Sequence, residues 1–387
     1  MNKRIVLPGL AMIAVTYGLA RFGYGLMLPD ISSSLGMSST MSGFIGSGSY
    51  FAYCVAIILS ILCIPKLGPR PSIVAAGLSA LVGMLLIALS TNQVVLAVGV
   101  LIAGASTGFG SPAYGEVVTQ KIQKSFQDPS NTWINAGTGF GVMVSGPIVL
   151  LLSGHWKIVY FLFTLIALAV LIWNLVNIPK VPKDEKINQS KFTFKKSDFK
   201  KSVSLVVASL ITGISTAIYW TFARDFISST GDLSILTTTI FWILIGLSGI
   251  AGGIAGGIIE KLGLVKSYRF SILILFLSMI ILAFFHSEAI PVYISALFFG
   301  SSYVFFTGVI LVWGVRLYPE QSSLGIGLPF LILALGQILG SAIGGSLIQW
   351  TGYGTAFIVF GLIGLSVTLI NPGDSTQKVR KTKKSYA

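Results

Sequence analysis

Apolar runs long enough to cross a bilayer recur from one end of this chain to the other, and no other feature constrains its fold so tightly. A helix needs about 18–25 predominantly apolar residues to traverse roughly 30 Å of hydrocarbon. Twelve such runs can be read, at about 5–28, 39–63, 72–89, 94–117, 132–153, 156–178, 202–227, 234–259, 269–286, 290–316, 325–349 and 354–371. In lipid every backbone N–H and C=O must be paired inside the protein, which leaves helices or closed barrels. The runs are continuously apolar and do not alternate over ten-residue segments, so they predict helices.

Charge sets the class and the topology. Only 10% of the 387 residues are charged, against about a quarter in a soluble domain, which excludes a water-soluble enzyme. The net charge of +14 does not point to nucleic acid, because the bases sit in short clusters between apolar runs. Of 26 Lys and Arg, 23 fall on one side of the twelve-run layout, including Lys3 and Arg4, Lys66 and Arg70, Lys121 and Lys124, and eight lysines between Lys180 and Lys201. The opposite loops hold Asp30, Asp232 and Glu288, with Lys157 as their one base. The positive-inside rule then predicts a multi-pass plasma-membrane protein with both termini in the cytoplasm. The first run is too long for a cleavable signal and carries Arg21. Cys54 and Cys63, nine residues apart in one apolar run, give no metal spacing or disulfide framework and read as buried thiols.

The one long polar break divides the chain. Residues 1–178 form a predicted N-terminal six-helix bundle, 179–201 a basic cytoplasmic linker, 202–371 a second six-helix bundle, and 372–387 a basic tail. The linker lysines read as a topology signal, with contact to anionic lipid headgroups as the other reading. An internal repeat supports the division: Ile64-Pro-Lys-Leu-Gly-Pro-Arg-Pro-Ser72 matches Ile259-Glu-Lys-Leu-Gly-Leu-Val-Lys-Ser267 at five of nine positions, at an offset of 195. Tyr24 and Asp30 align with Tyr219 and Asp225 at that offset, and Gly154 meets Gly352 at 198. Half-repeats of this kind build a site between two bundles near mid-membrane.

These features resemble the major facilitator superfamily. The most specific residues are Gly256, Glu260, Lys261, Gly263 and Lys266, which look like the family's loop signature with Glu where Asp is usual. The resemblance implies a latch that gates alternating access. In the first-half copy Pro65 takes the acid position, with Lys66, Gly68 and Arg70 retained. Span five, from Gly137 to Gly146 and Pro147, looks like the Gly-Pro-ended signature of proton-coupled antiporters but lacks the glycines expected after the proline. Without the family it reads as small-residue helix packing with a proline kink. The opening TYGLARFGYGLMLPDI resembles the bacterial YbfB/YjiJ-like permease branch.

A charge at membrane depth costs about 2.5–3.5 kcal/mol on insertion scales and needs a reason. Arg21 lies seven residues before Leu28, with Tyr17 and Tyr24 at i−4 and i+3. It reads either as a clamp for a carboxylate, sulfonate or phosphate or as a helix-holding Arg with its own acid. Thr212, Ser215, Thr216 and Tyr219 form a polar stripe at helical spacing, flanked by Trp220; it reads as cavity lining or as hydroxyls bonded to their own backbone. Arg224 and Asp225 read as an outer gate or as an interfacial ion pair. Glu116 and Asp225 are the candidates for coupling a proton. Tyr114, Asn135, Thr138, Ser302, Tyr303, Thr307 and Gln337 are weaker cavity candidates.

No metal-ligand cluster, nucleotide loop or paired carboxylates are present, so neither cofactor nor catalytic residue is expected. The reading is an all-α secondary transporter, monomeric, moving a small organic solute between two rocking bundles. The buried cation is the hint of an anion. The alternatives are a proton-coupled drug or metabolite exporter and, from another class, a non-transporting receptor on a transporter fold, which the short loops and tail argue against.

Overall fold

A computed structural model describes residues 3–178, 196–229, 233–252, 255–318 and 322–372. Its helices are α1 (Lys3–Leu35), α2 (Ser39–Leu67), α3 (Pro69–Leu89), α4 (Gln93–Lys121), α5 (Lys124–Leu151), α6 (Trp156–Asn177), α7 (Lys196–Ser229), α8 (Ile235–Gly252, with Ala255–Leu262 beyond it), α9 (Leu264–Phe285), α10 (Ala289–Leu317), α11 (Ser322–Thr351) and α12 (Tyr353–Ser366). Ten are long and apolar enough to cross a bilayer, while α8 and α12 contribute shorter apolar helices. The all-helical architecture follows from the twelve apolar runs, and no strand occurs among the described residues.

Helix ends follow local chemistry. Ser38 caps α2 by accepting from the Met41 N–H, and Asn92 caps α4 by accepting from Val94 and Val95. The repeat is visible in the backbone. Gly68 (φ 77°) and Gly263 (φ 80°) make the turns into α3 and α9, and Gly154 (φ 79°) and Gly352 (φ 83°) those into α6 and α12. All four have positive φ, and Gly68, Gly263 and Gly352 pair it with ψ of 172°, 159° and 168°, an extended region that is essentially reserved for glycine.

Two features of α1 depart from the sequence reading. It does not end near Leu28 but continues through Asp30 and Ser32 to Leu35, where Gly36 (φ 59°) closes it. Polar residues end an apolar run without ending a helix; the left-handed glycine does that. Arg21 is therefore fourteen residues from the helix end, about 21 Å at 1.5 Å per residue, twice the distance that its seven-residue spacing from Leu28 implies. The segment Ala14–Arg21 is also π-helical, with Phe22 N–H donating to Tyr17 O at 2.9 Å.

Glycines bring the helices together. On α5, Gly137 and Gly141 face the α1 backbone at Leu10 and Ala14, while Gly139 faces Gly246 and Ile250 of α8 and Gly146 faces Ile243. The two bundles meet along α1 and α7 where Gly25 approaches the Trp220 carbonyl, along α2 and α11 where Gly43 approaches Ser341 and Gly345, and along α5 and α8. Close backbone approach at small residues is how helices associate where lipid gives no hydrophobic drive. Outward-facing Leu62, Leu89, Leu151, Val176 and Trp350 are exposed, as a lipid-facing surface requires. Tyr114, a weak cavity candidate, lies inside the first bundle. Its hydroxyl donates to Asn174 Oδ1 at 2.5 Å, and Asn174 Nδ2 donates to Pro8 O at 3.0 Å.

Candidate substrate site

Arg21 is 7% exposed and stands where α1, α2, α7 and α11 converge. Its guanidinium carbon lies 4.6 Å from the Tyr53 ring centre, 4.7 Å from Tyr50, 5.5 Å from Phe22 and 5.7 Å from Tyr17. Ring faces attract a cation, more strongly when water is excluded. Nη2 donates to Gln337 Oε1 at 3.1 Å, and Gln337 Nε2 donates to the Tyr303 hydroxyl at 3.2 Å. A guanidinium has five N–H donors, and here Nε has no partner. Among the described residues the recorded ion pair is Arg224 with Asp30, so no carboxylate neutralises Arg21.

A water-sized void borders the guanidinium, lined by Arg21, Phe22, Tyr24, Ser49, Tyr50, Trp220 and Thr221 with Gly25 and Gly46. Ser49 Oγ and Trp220 Nε1 are buried without partners. Beside the void, Ser341 meets the lining residue Thr221, Oγ to Oγ1, at 3.3 Å and donates to Gly43 O at 3.0 Å. Further out, Arg224 of α7 binds the Leu26 carbonyl of α1 and lies 3.5 Å from Asp30. The bundles are thus packed together from the Asp30 end to the void at Arg21.

The structure gathers some of the sequence candidates here and disperses others. Arg21, Tyr17, Tyr24 and Trp220 share this neighbourhood. Tyr17 bonds Ser111 Oγ at 2.8 Å, and Tyr24 lines the void while its hydroxyl donates to Ser42 O at 3.0 Å. The polar stripe of α7 faces elsewhere. Thr212, Ser215 and Thr216 border a second void with Ile272, Leu275, Phe276 and Gly364, inside the second bundle between α7, α9 and α12. Ser215 donates to Phe360 O at 2.7 Å and Thr216 to Thr212 O at 2.8 Å. Tyr219 bonds Ser295 at 2.7 Å and stacks on Phe299. Gln337 and Tyr303 join Arg21. Tyr50 and Tyr53, which hold the guanidinium most closely, carry no signal in the sequence beyond their spacing on one face of α2.

The gating and coupling candidates lie apart from this centre. Lys66, Lys261 and Lys266 are exposed. Arg70 donates to Ile178 O at 2.9 Å and Leu175 O at 2.8 Å, closing the end of α6 rather than meeting an acid. Gly256 and Glu260 belong to the helix Ala255–Leu262, and their surroundings lie outside the described residues. Pro147 is exposed on α5 beside the packed Gly146. Glu116 accepts from Gln120 at 2.7 Å, and Asp225 accepts from the Tyr353 hydroxyl at 2.5 Å.

A family model described as Major Facilitator Superfamily matches residues 10–328. Among solved structures, the nucleoside transporter NupG is similar with a TM-score of 0.76 at 15% identity, over 95% of this chain and 98% of that one. A POT family transporter in complex with 5-aminolevulinic acid gives a TM-score of 0.79 at 13% identity, over 95% of this chain and 94% of that one. Another POT family transporter, in complex with a thioalcohol conjugated peptide, gives 0.77 at 14% identity over 95% and 94%. At these identities the likeness is one of fold.

Proposed function

The chain belongs to the major facilitator superfamily, a family of membrane transporters and not of enzymes, and from that premise we propose that it carries a small organic anion, bound at Arg21, by alternating access between its two bundles. One observation carries this reading. Arg21 is a buried guanidinium between the bundles whose recorded partners are four aromatic faces and one neutral amide. A structural arginine at this depth would be expected to have an acid or several carbonyls. A cation held by neutral groups is instead a site whose charge is completed by a ligand.

On this reading the basic loops lie in the cytoplasm of a plasma-membrane protein, the packed Asp30 end is the outer one, and the closed door is the outer door. The bundle boundaries at 178 and 202 and a monomeric carrier belong to the same reading. The opening TYGLARFGYGLMLPDI supports a place in the YbfB/YjiJ-like branch. Where a proton takes part in transport, Asp225 and Glu116 are its candidate carriers, and the loops around Lys66 to Arg70 and Gly256 to Lys266 its gates.

The test is ligand-induced thermal stabilisation of the detergent-purified protein and its Arg21→Gln variant, followed by uptake in proteoliposomes. Binding to the folded state alone adds RT ln(1 + [L]/Kd) to stability. Organic anions are expected to stabilise the wild type and not the variant. Stabilisation of both by lipophilic cations would replace this reading with a cation exporter.

A further inference from the structure

Phe22 and Trp220 face each other across the boundary between the bundles. Phe22 belongs to α1 and Trp220 to α7, and their rings stack with centroids 4.0 Å apart and planes 15° from parallel. Both line the void that borders Arg21, and the guanidinium carbon is 5.5 Å from the Phe22 ring. We propose that the carried anion is a planar aromatic monoanion, with its charged group on Arg21 and its ring inserted between Phe22 and Trp220. This rests on the anion reading of Arg21 and narrows it.

The argument begins with what separates when the bundles move. Two stacked faces on different bodies come apart as those bodies rock, and each would then lose its stacked partner. A flat ring entering the gap replaces one stack with two, while a saturated chain offers neither face a matching surface. The Trp220 wall is held in place by edge contacts with Phe299 at 5.3 Å, Tyr303 at 5.4 Å and Trp242 at 6.2 Å. A slot whose wall is fixed beforehand loses little freedom on binding. Trp220 Nε1 and Ser49 Oγ, both at the void without partners, are donors for a ring oxygen substituent. The charge of the ligand follows from the site. A single cation balances one negative charge, and a second would enter a buried place with nothing to pair it.

Benzoate and cyclohexanecarboxylate have the same charge and nearly the same size, and differ in whether the ring is flat and aromatic. Their dissociation constants are to be measured on the full-length purified protein by thermal shift and by tryptophan fluorescence. Benzoate is expected to bind about tenfold more tightly, the sum of two stacking faces. That ratio should fall toward one in Trp220→Leu and in Phe22→Leu and persist in Trp220→Phe, which keeps a ring in the wall. Equal binding of the two carboxylates would overturn the aromatic slot and leave the anion reading standing. Failure of benzoate, cyclohexanecarboxylate and benzenesulfonate alike to stabilise the wild type would overturn both.

Discussion

Arg21 on α1 and Gln337 on α11 are joined by a 3.1 Å hydrogen bond that crosses from one bundle to the other. If Arg21 binds the carried anion as proposed, the amide oxygen of Gln337 stands where a ligand oxygen would stand, against a guanidinium with no acid of its own among the described residues. Gln337→Glu places a carboxylate at that position. The variant is expected to melt higher than the wild type in the absence of ligand and to lose its response to added organic anions. Gln337→Ala leaves the guanidinium short of its one recorded side-chain acceptor, at a cost of about 1–3 kcal/mol, while anions should stabilise it more than they do the wild type. Melting curves of the three proteins with and without benzoate check both expectations.

Gly25 governs the approach of α1 to α7. A Cβ there would land on the Trp220 carbonyl, which is backbone and cannot swing away. Gly25→Ala should destabilise the closed arrangement by about 1–3 kcal/mol, the usual range for overpacking, and favour separation of the bundles at the Asp30 end. Gly48, with open space around its Cβ position, is the control on the neighbouring α2. A fall in melting temperature in Gly25→Ala and not in Gly48→Ala is the expected pattern.

Much of this architecture was legible because lipid makes demands that a sequence cannot hide. Run length marks the helices, and the 195-residue offset pairs Gly68 with Gly263, whose φ values of 77° and 80° match. The surroundings of Arg21 were less so. Periodicity says which residues of a helix share a face, but not which helix that face meets. Hence Thr212, Ser215 and Thr216 share one stripe by spacing, yet they turn toward α9 and α12 inside their own bundle. Tyr50 and Tyr53 meet Arg21 from α2, and nothing local in the sequence says that the guanidinium reaches that helix.

The paired glycines test the repeat energetically. Gly263 has open space around its Cβ position and φ of 80°, so Gly263→Ala meets conformational strain and no clash. The cost should be about 1–3 kcal/mol. Gly154→Ala and Gly352→Ala, also in open space at φ 79° and 83°, should fall by matching amounts. Unequal losses of melting temperature between those two would show that the halves do not share one turn design.

Arg224 fastens the Asp30 end. It is 4% exposed, binds the Leu26 carbonyl and lies 3.5 Å from Asp30, so one α7 side chain holds two points of α1. Asp30 is 27% exposed, and water screens its share of the pair. Asp30→Asn should therefore cost little, under about 1 kcal/mol. Arg224→Ala removes the carbonyl contact as well, and a hydrogen bond from a charged donor is worth about 1.5–3 kcal/mol. If the pair is a door fastening, Arg224→Ala should raise the labelling rate of a cysteine placed at Ser49, beside the void, by reagents added from the Asp30 side, in a background lacking Cys54 and Cys63. Asp225→Ala is the contrasting variant. It loses the 2.5 Å bond from Tyr353, which ties α7 to α12 within one bundle, so it should lower the melting temperature and leave that labelling rate unchanged.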